Sequence, residues 1–68
     1  MRRYPVTSSN IAGIGWENDV LEVEFRSGGV YQYTGVTQSA YFNLINASSV
    51  GRAFHQGIKD KYTEQRIE

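Results

Sequence analysis

The sequence contains no cysteine. That excludes a disulfide framework and any metal site built on thiolates, and it fits a reducing cytoplasm, where we expect the protein to reside. It carries no net charge at pH 7, seven basic residues matching seven acidic ones. Strong nonspecific attraction to a polyanion is therefore unavailable, although a local basic patch is not excluded. No apolar run approaches the roughly 20 residues that cross a bilayer, so no membrane span is expected. Met1-Arg2-Arg3-Tyr4-Pro5 has two arginines but no hydrophobic region behind them, unlike a signal peptide. The single histidine, His55, has no second imidazole or thiol with which to share a metal, and Asp60 is its closest carboxylate in sequence, so no metal or other cofactor is expected. A chain this short buries only about 60% of its unfolded surface. We read residues 1–68 as one domain with one sheet face, one or two helices and no deep cavity.

What is present is organised around residues 20–33, Val-Leu-Glu-Val-Glu-Phe-Arg-Ser-Gly-Gly-Val-Tyr-Gln-Tyr. Leu21, Val23 and Phe25 alternate with Glu22, Glu24 and Arg26, the period of a strand with one buried face. Ser27-Gly28-Gly29 supplies a turn, and Tyr31 and Tyr33 resume the alternation, giving a hairpin. The expected register sets Phe25 against Tyr31 and Val23 against Tyr33. A preceding strand over residues 11–16 carries Ala12, Ile14 and Trp16 on one face. Gly13 and Gly15 lie on the other, where a backbone or ligand could approach closely. With Glu17-Asn18-Asp19 as the turn, Trp16 meets Leu21, Ile14 meets Val23 and Ala12 meets Phe25. Both hairpins then send their large side chains to the same face.

After Gly35 the period changes. Thr37 is placed to cap a helix in which Tyr41, Leu44 and Ile45 form an apolar stripe, with Phe42 off that stripe. Ser49 caps a second helix carrying Val50, Ala53 and Phe54, and Gly57 is expected to end it in the left-handed conformation with Ile58 folding back. Residues 1–9 read as an extended lead-in and residues 59–68 as a polar tail pinned by Tyr62 and Ile67. The predicted fold class is α+β: a three-stranded antiparallel β-meander followed by two helices packed on one face, in the order β-β-β-α-α.

No paired catalytic groups stand out, and no enzyme is expected. Glu22 and Glu24 project from one outer strand face, which we read as flat and solvated rather than as an acid–base cleft. The serines lack a nucleophile elbow, and neither Gly13-x-Gly15 nor Gly28-Gly29 leads into a helix as a phosphate loop does. Tyr31 and Tyr33 fit either a buried core or a base-stacking platform. Arg52, His55 and Lys59 follow i, i+3, i+7 spacing, and Lys61, Tyr62 and Arg66 come after them. A basic edge of this kind can follow a phosphate backbone, and it is equally what an ordinary helix C-terminus looks like.

The assembled pieces resemble the KTSC family, small domains named for their occurrence at the C-terminus of some lysyl-tRNA synthetases and also found as stand-alone bacterial or phage proteins. The resemblance rests on Ser8-Ser9-Asn10-Ile11 with Ile14-Gly15, Leu21 to Phe25 with Ser27-Gly28-Gly29, and the central Tyr31-Gln32-Tyr33. It continues through Gly35-Val36, Tyr41, Leu44, Ala47-Ser48-Ser49-x-Gly51, Phe54, Ile58-Lys59, Lys61-Tyr62 and Arg66-Ile67. It implies an α+β domain with no catalytic residue, and the synthetase context implies RNA or tRNA as a partner. The expected contacts are Arg52, His55, Lys59, Lys61, Tyr62 and Arg66. The alternative is a protein-interaction or structural module, motivated by zero net charge and Phe42, monomeric or weakly self-associating.

Overall fold

The computed structural model describes all residues, Met1–Glu68. The chain runs β1 (Tyr4–Pro5), β2 (Ile11–Glu17), β3 (Val20–Phe25), β4 (Val30–Thr34), α1 (Gln38–Ile45), α2 (Val50–Gly57) and β5 (Thr63–Arg66). The expected meander, β2 to β4, is the centre of a five-stranded antiparallel sheet in the order β1-β2-β3-β4-β5. The lead-in and the tail supply the two extra edge strands. Neither shows apolar alternation, because each is held by main-chain pairing with a neighbour rather than by a buried side-chain row.

The first hairpin closes through Asn18 and Asp19, both at positive φ, a two-residue turn whose twist matches the flanking strands. Ile14 faces Val23 and Trp16 faces Leu21, as the sequence indicates. Further along, the pairing departs from expectation. Ile11, not Ala12, meets Phe25, because the register shifts between Ile11 and Gly13. A bulge at Ala12 lets odd-numbered Ile11 share the inner face with even-numbered Ile14 and Trp16. Isoleucine buries more apolar area than alanine, which favours the bulged register.

The second hairpin is also displaced. Val23 pairs with Tyr31 and Leu21 with Tyr33, two residues from the expected register. Gly28, at φ 114°, closes a loop of Arg26, Ser27 and Gly28 in which the Phe25 N–H donates to the Gly29 carbonyl at 2.9 Å. A shift of two residues preserves the face, so Leu21, Val23, Phe25, Tyr31 and Tyr33 still point the same way.

Both helices cover that face. Thr37 caps α1 by accepting from the Ala40 N–H, and Ser49 caps α2 by accepting from the Arg52 N–H, each at 3.2 Å. Leu44 from α1 and Val50 and Phe54 from α2 are buried with Ile11, Ile14, Leu21, Val23 and Tyr33 in one cluster. Trp16 fastens α1 to the sheet: its indole N–H donates to the Val36 carbonyl at 2.7 Å and its ring stacks on Tyr41 at 5.8 Å. Phe42 is left exposed. Gly57 does not take the left-handed conformation. That role falls to Asp60, at φ 64°, three residues on. The Ile58 and Lys59 N–H groups both donate to the Phe54 carbonyl, which draws Ile58 into the core before the chain turns.

The outer face is not the flat solvated surface expected from Glu22 and Glu24. The lead-in bends across it. Arg3 reaches over the sheet to pair with both Glu22 and Glu24, and the Gln32 amide donates to Glu22 at 2.9 Å. Glu22 is only 3% exposed. Burial pushes its carboxyl up, but the hydrogen bonds from Gln32 and Arg3 outweigh this and hold it below the usual carboxylate value. A carboxyl depressed by folding stabilises the native state above its unfolded value and ceases to do so as pH falls through its folded value. The urea midpoint is therefore expected to fall on acidification below about pH 4.5. Glu22→Gln should show a shallower fall over that window, and an identical slope in the two proteins would contradict this assignment.

Candidate nucleic-acid interface

The two helices cover β2 to β4 but not β5, all four residues of which are exposed. Beside β5 the inner face of the sheet opens into a cleft of about 280 Å³. Phe25, Tyr31 and Phe54 supply aromatic rings, while His55, Lys59 and Glu64 supply the polar rim. The rings pack edge to face, Phe25 against Tyr31 at 5.7 Å and against Phe54 at 5.5 Å. This interlock holds the floor in one geometry.

Local chemistry places each group. β5 pairs with β4 so that Glu64 sits opposite Tyr33 and Arg66 opposite Tyr31. Cross-strand partners share a face, so Glu64 and Arg66 emerge on the cleft side. The Arg66 guanidinium lies over the Tyr31 ring, 5.8 Å from its centre, and its Nε donates to the Glu68 carbonyl at 2.8 Å. His55 leans on Phe54, and Lys59 follows Ile58 at the end of α2. A second depression, shared through Phe25, Ser27 and His55, extends past Arg26 to Ser9 and Asn10. Arg26 is committed there to the backbone, its Nε donating to the Ser8 carbonyl at 2.7 Å.

The two tyrosines differ in burial. Tyr33 is 1% exposed and belongs to the core, while also forming part of the cleft wall. Burial, then the neighbouring Glu64 carboxylate, pushes its hydroxyl well above the ordinary tyrosine value. Tyr31 is half-buried and lines the cleft.

Of the six expected contact residues, His55 and Lys59 line the cleft, and Arg66 adjoins it by lying over Tyr31. Arg52 lines a separate depression with Ser48, Ser49 and Gln56. Lys61 is exposed on the turn after Asp60, outside the cleft. Tyr62 is half-buried and packs against the hydrophobic cluster. Phe25, Ser27 and Glu64 were not foreseen as site residues. Phe25 and Ser27 belong to one hairpin and Glu64 to β5, and only the long-range pairing of β5 with β4 brings Glu64 beside the other two.

This is a small α+β domain with an antiparallel meander, a two-helix cover and an open aromatic cleft with a charged rim. The family model described as the KTSC domain matches residues 7–62, and the chain belongs to that family. An uncharacterised protein of Stutzerimonas stutzeri is 38% identical over 64 residues, covering 91% of this chain and 90% of that protein. A lysine–tRNA ligase of Nostoc punctiforme is 37% identical over 51 residues, which are 75% of this chain but 9% of the ligase. The chain therefore corresponds to a small part of the ligase. The crystal structure of a KTSC domain protein from Yersinia pestis superposes with a TM-score of 0.94 at 43% identity, covering 98% of this chain and 97% of that one.

Proposed function

We propose that this chain is a non-catalytic RNA-binding domain that holds a single-stranded segment across the cleft beside β5. One observation carries the reading: half-buried aromatic rings and Lys59 line the same open cleft, with Arg66 laid over Tyr31 beside it. Aromatic rings accept the π-face of any base, at about 1–3 kcal/mol per stacked base. Lys59 and Arg66 supply charge for the phosphates between stacked bases. Kinship with part of a lysine–tRNA ligase, whose name declares tRNA as its substrate, adds support for RNA.

With zero net charge, binding should be modest and salt-sensitive. Fluorescence anisotropy with a labelled single-stranded oligoribonucleotide should give a Kd on the order of 10⁻⁵ M at low salt. Lys59→Glu should weaken it at least about tenfold, the loss of one phosphate contact compounded by charge reversal. Arg52→Glu, outside the cleft, should change it less than threefold or so. No binding at high micromolar protein, or equal losses from the two variants, would remove the proposal. A second reading, a protein contact centred on Phe42, is favoured by the 48% exposure of that ring on α1. Sedimentation over a concentration series, with Phe42→Ser as the control, tests it for self-association.

A further inference from the structure

Resting on the RNA reading, we infer that the cleft selects guanine, with Glu64 as the residue that reads the base. Glu64 is the one carboxylate in a cleft otherwise rimmed by His55 and Lys59. The ion pairs of the structure all belong to Arg3 on the opposite face of the sheet, so no cation holds the Glu64 carboxylate, whose neighbour within the fold is the Tyr33 hydroxyl. One hydroxyl donor leaves most of a carboxylate's acceptor capacity open, so this acidic group beside a phosphate-binding surface can still take a ligand. A carboxylate has two acceptor oxygens and no donor. Guanine alone among the four RNA bases presents two adjacent donors, N1–H and N2–H₂, on its Watson–Crick edge. Adenine would turn its N1 lone pair toward the carboxylate, cytosine its N3 lone pair, and uracil flanks a single N–H with two carbonyl oxygens.

The remaining groups fit the same base. Guanine offers acceptors at O6 and N7, the atoms that lysine commonly contacts, and Lys59 stands on the same rim. Tyr31 and Phe25 supply the stacking surface. Single-stranded RNA is read in this way, by unstacked bases held on aromatic rings and hydrogen-bonded along their Watson–Crick edges.

The experiment is an anisotropy series with five labelled pentaribonucleotides, UUGUU, UUAUU, UUCUU, UUUUU and UUIUU, the last carrying inosine, which lacks the N2 amine. UUGUU should bind about tenfold more tightly than UUAUU, UUCUU or UUUUU, the discrimination one bidentate pair supplies, and UUIUU should fall between. Glu64→Gln presents one acceptor and one donor in nearly the same shape. It should abolish the preference for UUGUU while leaving UUUUU bound as tightly or more tightly, since a negative charge is removed. A purely structural role for Glu64 would lower affinity for every pentamer alike. Free GMP, without flanking phosphates, should bind at least about tenfold more weakly than UUGUU. Equal affinity for GMP and UUGUU would make the ligand a free nucleotide and overturn the RNA assignment. Equal binding of all five pentamers, or a guanine preference that survives Glu64→Gln, would overturn the inference while leaving RNA binding intact. No binding of any pentamer would remove both.

Discussion

Phe54→Ala is expected to cost about 3–5 kcal/mol, the range for truncating a fully buried phenylalanine. Phe54 is 2% exposed, and its ring meets Phe25 and Tyr33, each at 5.5 Å. It is the largest buried side chain of α2, so the cavity opens where that helix meets the sheet. A domain of this length has only about 0.05–0.15 kcal/mol of stability per residue, so the loss is comparable with the whole. Urea unfolding followed by Trp16 emission reads it, because that indole loses both its bond to Val36 and its stack on Tyr41 when the core opens. Phe54→Leu should fall by less than half as much, since it leaves a smaller cavity. His55 and Lys59 depend on the same helix, so Phe54→Ala should also weaken the proposed RNA binding. A stability loss below about 1 kcal/mol, the level of an ordinary surface change, would mean that α2 is not anchored through this ring.

Gly15→Ala is expected to detach the lead-in from the outer face. A Cβ at position 15 would lie 2.3 Å from the Arg2 carbonyl oxygen and 3.1 Å from its carbon. Those are backbone atoms, and they cannot step aside without moving the strand. Displacing residues 1–5 breaks the pairing of β1 with β2 and takes Arg3 from Glu22 and Glu24. Removing the partner of a buried charge costs about 3–5 kcal/mol; here water enters as the arm leaves, so about 2 kcal/mol is expected. The decisive comparison is a cycle with a chain lacking residues 1–4. In that background Gly15→Ala should cost less than about 0.5 kcal/mol, because there is nothing left to clash with. Equal costs in both backgrounds would place the effect in the strand itself.

The parts of the fold legible in the sequence are those written in local patterns. The alternation of Leu21, Val23 and Phe25, its continuation in Tyr31 and Tyr33, the caps at Thr37 and Ser49, and the stripe ending in Leu44 all act within a few residues. The inner face of the second hairpin survived its register difference because a two-residue slip leaves a strand facing the same way, whereas the bulge in the first hairpin exchanged Ala12 for Ile11. The bulge at Ala12 is not legible in the sequence because Ile11 and Ala12 are both apolar, and only packing against Phe25 decides between them. The edge strands were hidden for a related reason. Tyr4–Pro5 and Thr63–Arg66 are short, exposed and polar or interrupted, and nothing in them signals a partner distant in sequence. The glycines at 13 and 15 did announce a close approach; what the sequence left unsaid is that the chain's own N-terminal backbone makes it.

The candidate site divides the same way. Basic residues after Val50 were visible as a run, but a run is not a surface. Arg66 comes beside the cleft that His55 lines only because β5 returns beside β4, while Arg52, three residues before His55, faces the loop at Ser48 and Ser49. Glu64, an acidic residue that interrupts the basic stretch, stands inside the cleft.

The most direct test of the cleft as the binding surface is a two-dimensional NMR titration of the ¹⁵N-labelled protein with UUGUU. Shift changes should cluster at the amides of Ser27, Tyr31, His55, Lys59, Glu64 and Arg66 and leave Phe42, Arg52 and the Arg3–Glu22 face unmoved. Changes centred on Phe42 or on the outer face, with those six amides silent, would contradict it.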